Sequence, residues 1–424
     1  MKIILILLFA SMLIFPAIAA DWSMFKNDMS HSGYTEDAVN PPLTLKWTKD
    51  LGFETDSSPV IVNDILYIGS TFGVHALDIR SGKQIWTYHT NGFVKSVPAV
   101  SNDVLYFGAD DRKFYAINAK DGTLLWINDK ALDGYTTSAV VVNNIVYTAP
   151  KDGMIYALDS KSGEIIWSTL IGKQVESSPA VGDGIITFGT NGGEIVALDA
   201  STGKEKWRYG ASEIDIVSSP VIIDGTVIIG SNDGSVYGLA TDKGTFKWKY
   251  STRDNIESSP SVKNGLVYVG SKDSNFFALD ALTGKEKWKF PNSGPVLSAP
   301  AISNDVVYFG TQNNFIYGLD ANTGKQLWRN STGPDDKDYI TSPAISGNML
   351  FAATHTGILF AYSSATQPVP TAVIKETIAS IPTSTVSTTV KTVTPSQTKP
   401  SPGLEFPILI FLIIAASGIY RKKR

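Results

Sequence analysis

The sequence predicts an all-β fold, an eight-bladed β-propeller of four-stranded antiparallel blades, and three features of the chain predict it. Eight of the nine tryptophans, Trp47, Trp86, Trp126, Trp167, Trp207, Trp248, Trp288 and Trp328, recur at steps of 39 to 41 residues. A large aromatic returning at a step near 40 marks one supersecondary unit copied many times. Most copies place an Asp and a Gly at fixed offsets before the Trp, as in Asp199…Thr202-Gly203…Trp207 and Asp320…Thr323-Gly324…Trp328. Finally, both ends of the repeat region are incomplete, and each supplies the strand or strands the other lacks.

The elements follow in chain order. Residues 1–20 carry Lys2, then an apolar run from Ile3 to Phe15, then Pro16-Ala17-Ile18-Ala19-Ala20. A short apolar core closed by small residues is the pattern of a cleaved secretory signal, so export is expected. Residues 21–42 form a lead-in, and residues 43–365 form the propeller.

Each copy reads as four strands. A triplet opens the first: Ser57-Ser58-Pro59, Ser96-Val97-Pro98, Thr137-Ser138-Ala139, Ser177-Ser178-Pro179, and so on to Ser342-Pro343. Proline is tolerated at a strand's start or on an edge strand, so this innermost strand is expected to lack a full set of neighbours. A Tyr-rich run follows, then an Ala-Leu-Asp run, then the Trp run. The Asp side chain accepts N–H groups ahead of it and Gly supplies positive φ, which together make a tight turn. The Trp then lies on the outer strand and offers a large flat surface to the next sheet, so all eight are expected to be blade anchors. The last copy has three strands and no Trp strand, while the first Trp strand, 43–51, precedes any triplet. The two fragments make one complete blade, so the chain is expected to close as a ring. A linear solenoid would need polar caps instead.

Residues 366–402 are rich in Thr, Ser and Pro, too polar to offset chain entropy by burial, and read as an extended stalk open to O-glycosylation. In residues 403–424 an apolar, uncharged run, 406–420, precedes Arg421-Lys422-Lys423-Arg424. The basic end is expected to stay cytoplasmic and leave the propeller outside. Fifteen residues is short for a span, which usually takes about 20. Two readings stay open: a sorting tail that is removed, or a retained transmembrane helix. Either tethers the propeller to the outer face of the cell membrane by its C-terminus. Asn330-Ser331-Thr332 is an N-glycosylation sequon, consistent with export.

The Ala-Leu-Asp…Thr-Gly…Trp frame, closest at 193–207, 275–288 and 315–328, resembles the pyrroloquinoline-quinone (PQQ) repeat from about 43 to 362. Asp21-Trp22-Ser23-Met24-Phe25 with His31-Ser32-Gly33-Tyr34 resembles the lead-in of PQQ-like propellers. Ser401-Pro402-Gly403-Leu404-Glu405 is similar to the Pro-Gly-Phe sorting tail of archaeal surface proteins, with Leu404 where that family has Phe. The resemblance implies the fold and leaves two functions. Quinoprotein alcohol and glucose dehydrogenases use the ring as an enzyme, with PQQ and calcium; the BamB group uses it as a non-catalytic assembly scaffold. This chain lacks the cysteines that many such dehydrogenases place against the quinone or use to attach haem. The expectation is therefore a cofactor-free cell-surface scaffold that binds an envelope protein or polysaccharide. The alternative is an extracytoplasmic quinone- or metal-dependent dehydrogenase.

Net charge is −4 with both signs interspersed, which leaves no basic patch for phosphate neutralisation and excludes nucleic acid as a partner. A monomer is expected. The four histidines, His31, His75, His89 and His355, show no metal-ligand spacing. His75 and His355 are read as equivalent positions in the first and last blades, and a two-histidine metal site is weighed there against ordinary turn histidines. The residue before each triplet should stand at the channel mouth. In order these are Asp56, Lys95, Thr136, Glu176, Val217, Glu257, Leu297 and Ile340. Asp56, Lys95, Glu176 and Glu257 are the polar ligand-binding candidates, facing an apolar arc of Val217, Leu297 and Ile340. Phe53, Phe93 and Tyr135, on the same inter-blade loops, are expected to be exposed contact residues.

Overall fold

The structure is a computed structural model that describes residues 20–333 and 338–365. The signal, stalk and tail expectations lie outside these residues. Every described element is a strand. No described helix is long and apolar enough to cross a membrane.

The described residues form eight sheets, each with a core of four consecutive antiparallel strands except the last, which is split between the chain ends; the seventh gains a fifth, parallel strand from the lead-in. Blade 1 comprises Val60–Val62, Ile65–Ser70, Gly73–Asp78 and Gln84–His89. Blades 2 to 7 repeat that order over 99–128, 140–170, 180–210, 221–251, 261–291 and 301–331. Blade 8 has Ala344–Ser346, Met349–Ala353 and Ile358–Ser364, and its outer strand is Leu43–Asp50 from the N-terminus. That strand runs antiparallel to Ile358–Ser364, from Leu43 opposite Ser364 to Asp50 opposite Ile358. The expected ring closure is thus the observed one.

The turn and Trp act as one joint. In blade 4, Asp199 Oδ1 accepts the Thr202 amide at 2.9 Å and the Thr202 hydroxyl at 2.8 Å. Gly203 takes φ +71°, and a Cβ there would stand 2.5 Å from the Trp167 ring. The preceding blade's indole therefore lies flat on a glycine that no other residue can replace without strain. Trp167 Nε1 donates to the Ala200 carbonyl of the same turn at 3.1 Å. A register shift between third and fourth strands precedes the Trp in every blade, as at Ala197/Leu198 in blade 4. Such a bulge re-aims side chains, here directing the indole at the next blade.

Six of the eight inner strands do find backbone partners, which the sequence reading did not expect. The lead-in crosses the ring and supplies them. Trp22 exchanges two backbone bonds with Ile61 of blade 1. The carbonyls of Ser23, Met29, Ser30, Ser32 and Gly33 accept the amides of Val100, Val181, Ile222, Val262 and Ile302. Tyr34–Thr35 finally pairs in parallel with Ile302 and Ser303 of blade 7. Inner-strand donors that would otherwise face an open channel are thereby satisfied.

Candidate functional site at the channel mouth

The triplets build a belt around the ring axis. In six steps, the amide of a triplet's second residue donates to the second serine of the next blade. The steps run Val97 to Ser138, Ser138 to Ser178, Ser178 to Ser219, Ser219 to Ser259, Ala299 to Ser342, and Ser342 to Ser58, at 2.8–3.1 Å. The belt is broken only where the receiving blade has Val97 or Ala299 in place of serine. The first serines add a second tier: Ser57, Ser177, Ser218 and Ser258 donate to the next blade's carbonyl at 2.8–3.1 Å.

Val97 and Ala299 lie together with Phe25 and Trp22 of the lead-in in a small central cleft. Just where the hydroxyl pattern lapses, the apolar plug fits. Behind Phe25, Lys26 is 2% exposed and its ammonium donates to the Pro260 carbonyl. Desolvation draws its pKa down to about 7, with the Asp28 carboxylate acting the other way. His31 is also buried and donates from Nδ1 to the Pro220 carbonyl at 3.1 Å. Burial first, then the Lys26 charge, push its pKa down to about 3. The Phe25 and His31 rings meet edge to face at 5.3 Å.

On the other side of Phe25 opens a recess of about 210 Å³. Of the eight predicted mouth residues it collects six: Asp56, Lys95, Thr136, Val217, Leu297 and Ile340. The half-polar, half-apolar rim is therefore present. Glu176 and Glu257 do not line it. Glu257 instead forms an ion pair with Lys272. Lys95 pairs with Asp110 at 3.1 Å. Asp56 Oδ1 accepts the Tyr339 hydroxyl and, at 2.8 Å, His355 Nδ1. Tyr339 and His355 stack at 4.8 Å between centroids. Sequence reasoning missed this cluster because extra residues between Trp328 and Tyr339 shift the count there; the Tyr339 carbonyl accepts the His355 amide as Glu54 accepts that of Thr71.

Two further expectations are corrected. His75 and His355 are not equivalent. His75 lies inside the third strand of blade 1, opposite Ile68, bonded to Ser70 and Thr87 at 2.8 and 3.0 Å. Desolvation lowers its pKa to about 4. His355 lies in the turn before Gly357, the place Thr71 holds before Gly73. Tyr135 is not exposed: it is fully buried, because Gly108 leaves room for its ring, where a Cβ would stand 2.3 Å from it. Phe53 remains exposed and packs edge-on against Phe72 at 4.6 Å, while Phe93 is half-buried beneath the Lys95 ammonium at 5.3 Å. Asn330 is half-buried on the outer strand of blade 7, its amide donating to the Tyr362 hydroxyl at 2.7 Å.

A multiply charged quinone needs several cations or a divalent metal beside it. The recess offers one ammonium, already paired with Asp110. Among the described residues no group of three His, Cys, Asp or Glu side chains is placed to hold a metal ion. The residues present do not fit that group.

Fold, turn joint and repeat frame define a PQQ-type propeller with a plugged axis. The chain belongs to the family described as outer membrane protein assembly factor BamB, which it matches in tandem over residues 38–171, 151–260 and 251–369. A quinohemoprotein alcohol dehydrogenase of Comamonas testosteroni is 28% identical over 214 residues, 45% of this chain and 25% of that protein. BamB of Shigella dysenteriae serotype 1 is 36% identical over 200 residues, 41% of this chain and 50% of that protein. The chain thus matches only a quarter to a half of the length of these relatives. The structure of BamB from Moraxella catarrhalis shares the fold, with TM-score 0.64 at 20% identity over 76% of this chain and 99% of that one.

Proposed function

We propose that this protein is a non-catalytic scaffold that binds an envelope protein or polysaccharide at its channel mouth. The observation that carries the reading is the recess itself: a rigid, belted mouth, closed beneath by Phe25 and lined by Asp56, Lys95 and Thr136 against an apolar arc. Recognition groups held on a rigid ring are preorganised, so little ordering is needed on binding. Membership of the BamB family supports a scaffold role. The signal-like residues 1–20 and the apolar tail support export and tethering at the outer face of the membrane.

The test is co-sedimentation of the full chain with envelope fractions, comparing the parent with an Asp56→Ala, Lys95→Ala variant of unchanged melting temperature. The scaffold reading expects retention to fall by about tenfold, the scale of one or two lost polar contacts. Equal retention of both chains contradicts it.

A second reading, a quinone-dependent dehydrogenase, is favoured by the Comamonas testosteroni relative. Mixing the chain with PQQ and Ca²⁺ decides it. A stoichiometric bound-quinone spectrum together with dye reduction by alcohols establishes the enzyme; neither appears if the scaffold reading holds.

A further inference from the structure

The mouth recess is polar in an unbalanced way. Ser58, Ser138, Ser178, Ser219 and Ser259 line it and are only 4–7% exposed. The oxygen of each accepts a backbone amide from the neighbouring blade. Among the described residues none of these hydroxyls donates to a protein acceptor, so their hydrogens remain available. Thr341, 4% exposed, and Thr136 also line the recess, and their Oγ1 atoms have no hydrogen-bond partner among the described residues. Asp56 has both of its bonds on Oδ1, which leaves Oδ2 as a free acceptor. Buried polar atoms left unpaired are costly, and two such hydroxyls on one cavity, beside a ring of serine hydrogens, point to something that fills it.

The same groups decide the chemistry of the occupant. A cation is disfavoured by converging hydroxyl donors and by Lys26 behind the floor. An anion is disfavoured by Asp56 and by the pairing of Lys95 with Asp110. A neutral ligand with many hydroxyls satisfies both sides, because each hydroxyl both accepts and donates. The apolar arc of Val217, Leu297 and Ile340, with the Phe25 ring below, suits the C–H face of a saturated ring. We propose that the recess holds one neutral sugar ring, a terminal or side-branch unit of a glycan, with its hydroxyls on the serine belt, Thr136, Thr341 and Asp56 Oδ2. This rests on the mouth being the recognition face.

Saturation-transfer NMR on the full-length chain tests it, with the methyl glycosides of glucose, galactose, mannose and N-acetylglucosamine as probes and acetate and choline as charged controls. The double variant Thr136→Val, Thr341→Val removes two unpaired hydroxyls at constant shape, so its melting temperature should equal or exceed the parent's. The expected result is transfer to at least one glycoside that weakens about tenfold in the double variant, with none to acetate or choline. Absence of transfer to every glycoside, equal transfer in both chains, or preference for acetate overturns the proposal. If no glycoside binds while envelope retention still depends on Asp56 and Lys95, the mouth remains the recognition face and the sugar assignment alone falls.

Discussion

Seven of the eight repeat tryptophans donate their indole N–H to a carbonyl of the next blade's turn. Trp328 does not. Its neighbour, blade 8, takes its third and fourth strands from opposite ends of the repeat region and so has no Asp-Gly turn to receive it; Trp328 packs edge-on against Tyr362 at 5.2 Å instead. Trp248→Phe should therefore cost about 1–2 kcal/mol more than Trp328→Phe, since it also leaves the Ala281 carbonyl unpaired. Urea midpoints check this, and equal losses would mean the indole bond adds nothing. Lys26 makes a second prediction. Its pKa is lowered from 10.5 to about 7, mainly by desolvation. Between those values the unfolded chain binds more protons than the folded one, so stability rises with pH across that window and the full burial penalty acts below it. Lys26→Met should flatten the rise in melting temperature over that range. An unchanged pH slope in the variant would contradict the buried position of the ammonium.

At the scale of the element, the Asp turns should set acid stability. Hydrogen bonds from Ser201 and Thr202 hold the Asp199 pKa at about 2, and those from Thr283 and Lys287 do the same for Asp280. Depressed carboxyl pKa values give stability that is complete above the ordinary range near pH 4 and is lost as pH falls towards 2. Asp199→Asn with Asp280→Asn should shallow the fall in melting temperature over that interval, and an unaltered acid limb would remove the turns from the account. These turns, the four strands and the Trp joint were legible in the sequence because they repeat, and a repeat makes each copy a check on the others. The lead-in was legible as a segment, residues 21–42, but its path along the inner strands was not, since it occurs once and no other copy checks it. The lapse of serine at Val97 and Ala299 marks where it packs, and reads as drift until Phe25 and Trp22 are seen beside them. Six mouth positions were legible from blade equivalence. Glu176 and Glu257 do not line the recess, because equivalence places a backbone and not a side chain. Tyr135 misled because loops usually expose aromatics, whereas Gly108 opens a slot for this one.

For the whole molecule, site and stability rest on one seam. The serine belt passes from blade 8 to blade 1 through Ser342 and Ser58, and Asp56 of the mouth is held by Tyr339 and His355 from the chain's far end. An unpaired outer edge on blade 8 would open that seam and expose a strand to association. The measurement that tests closure most directly is a disulfide across it. The chain contains no cysteine, and Thr44 stands opposite Ser363 in the closing register, within the reach that a disulfide requires. Oxidation of Thr44→Cys, Ser363→Cys should give an intramolecular bond in a monomer, with a raised melting temperature and unchanged mouth binding. A product that stays reduced, or that links two chains, would contradict the closed ring.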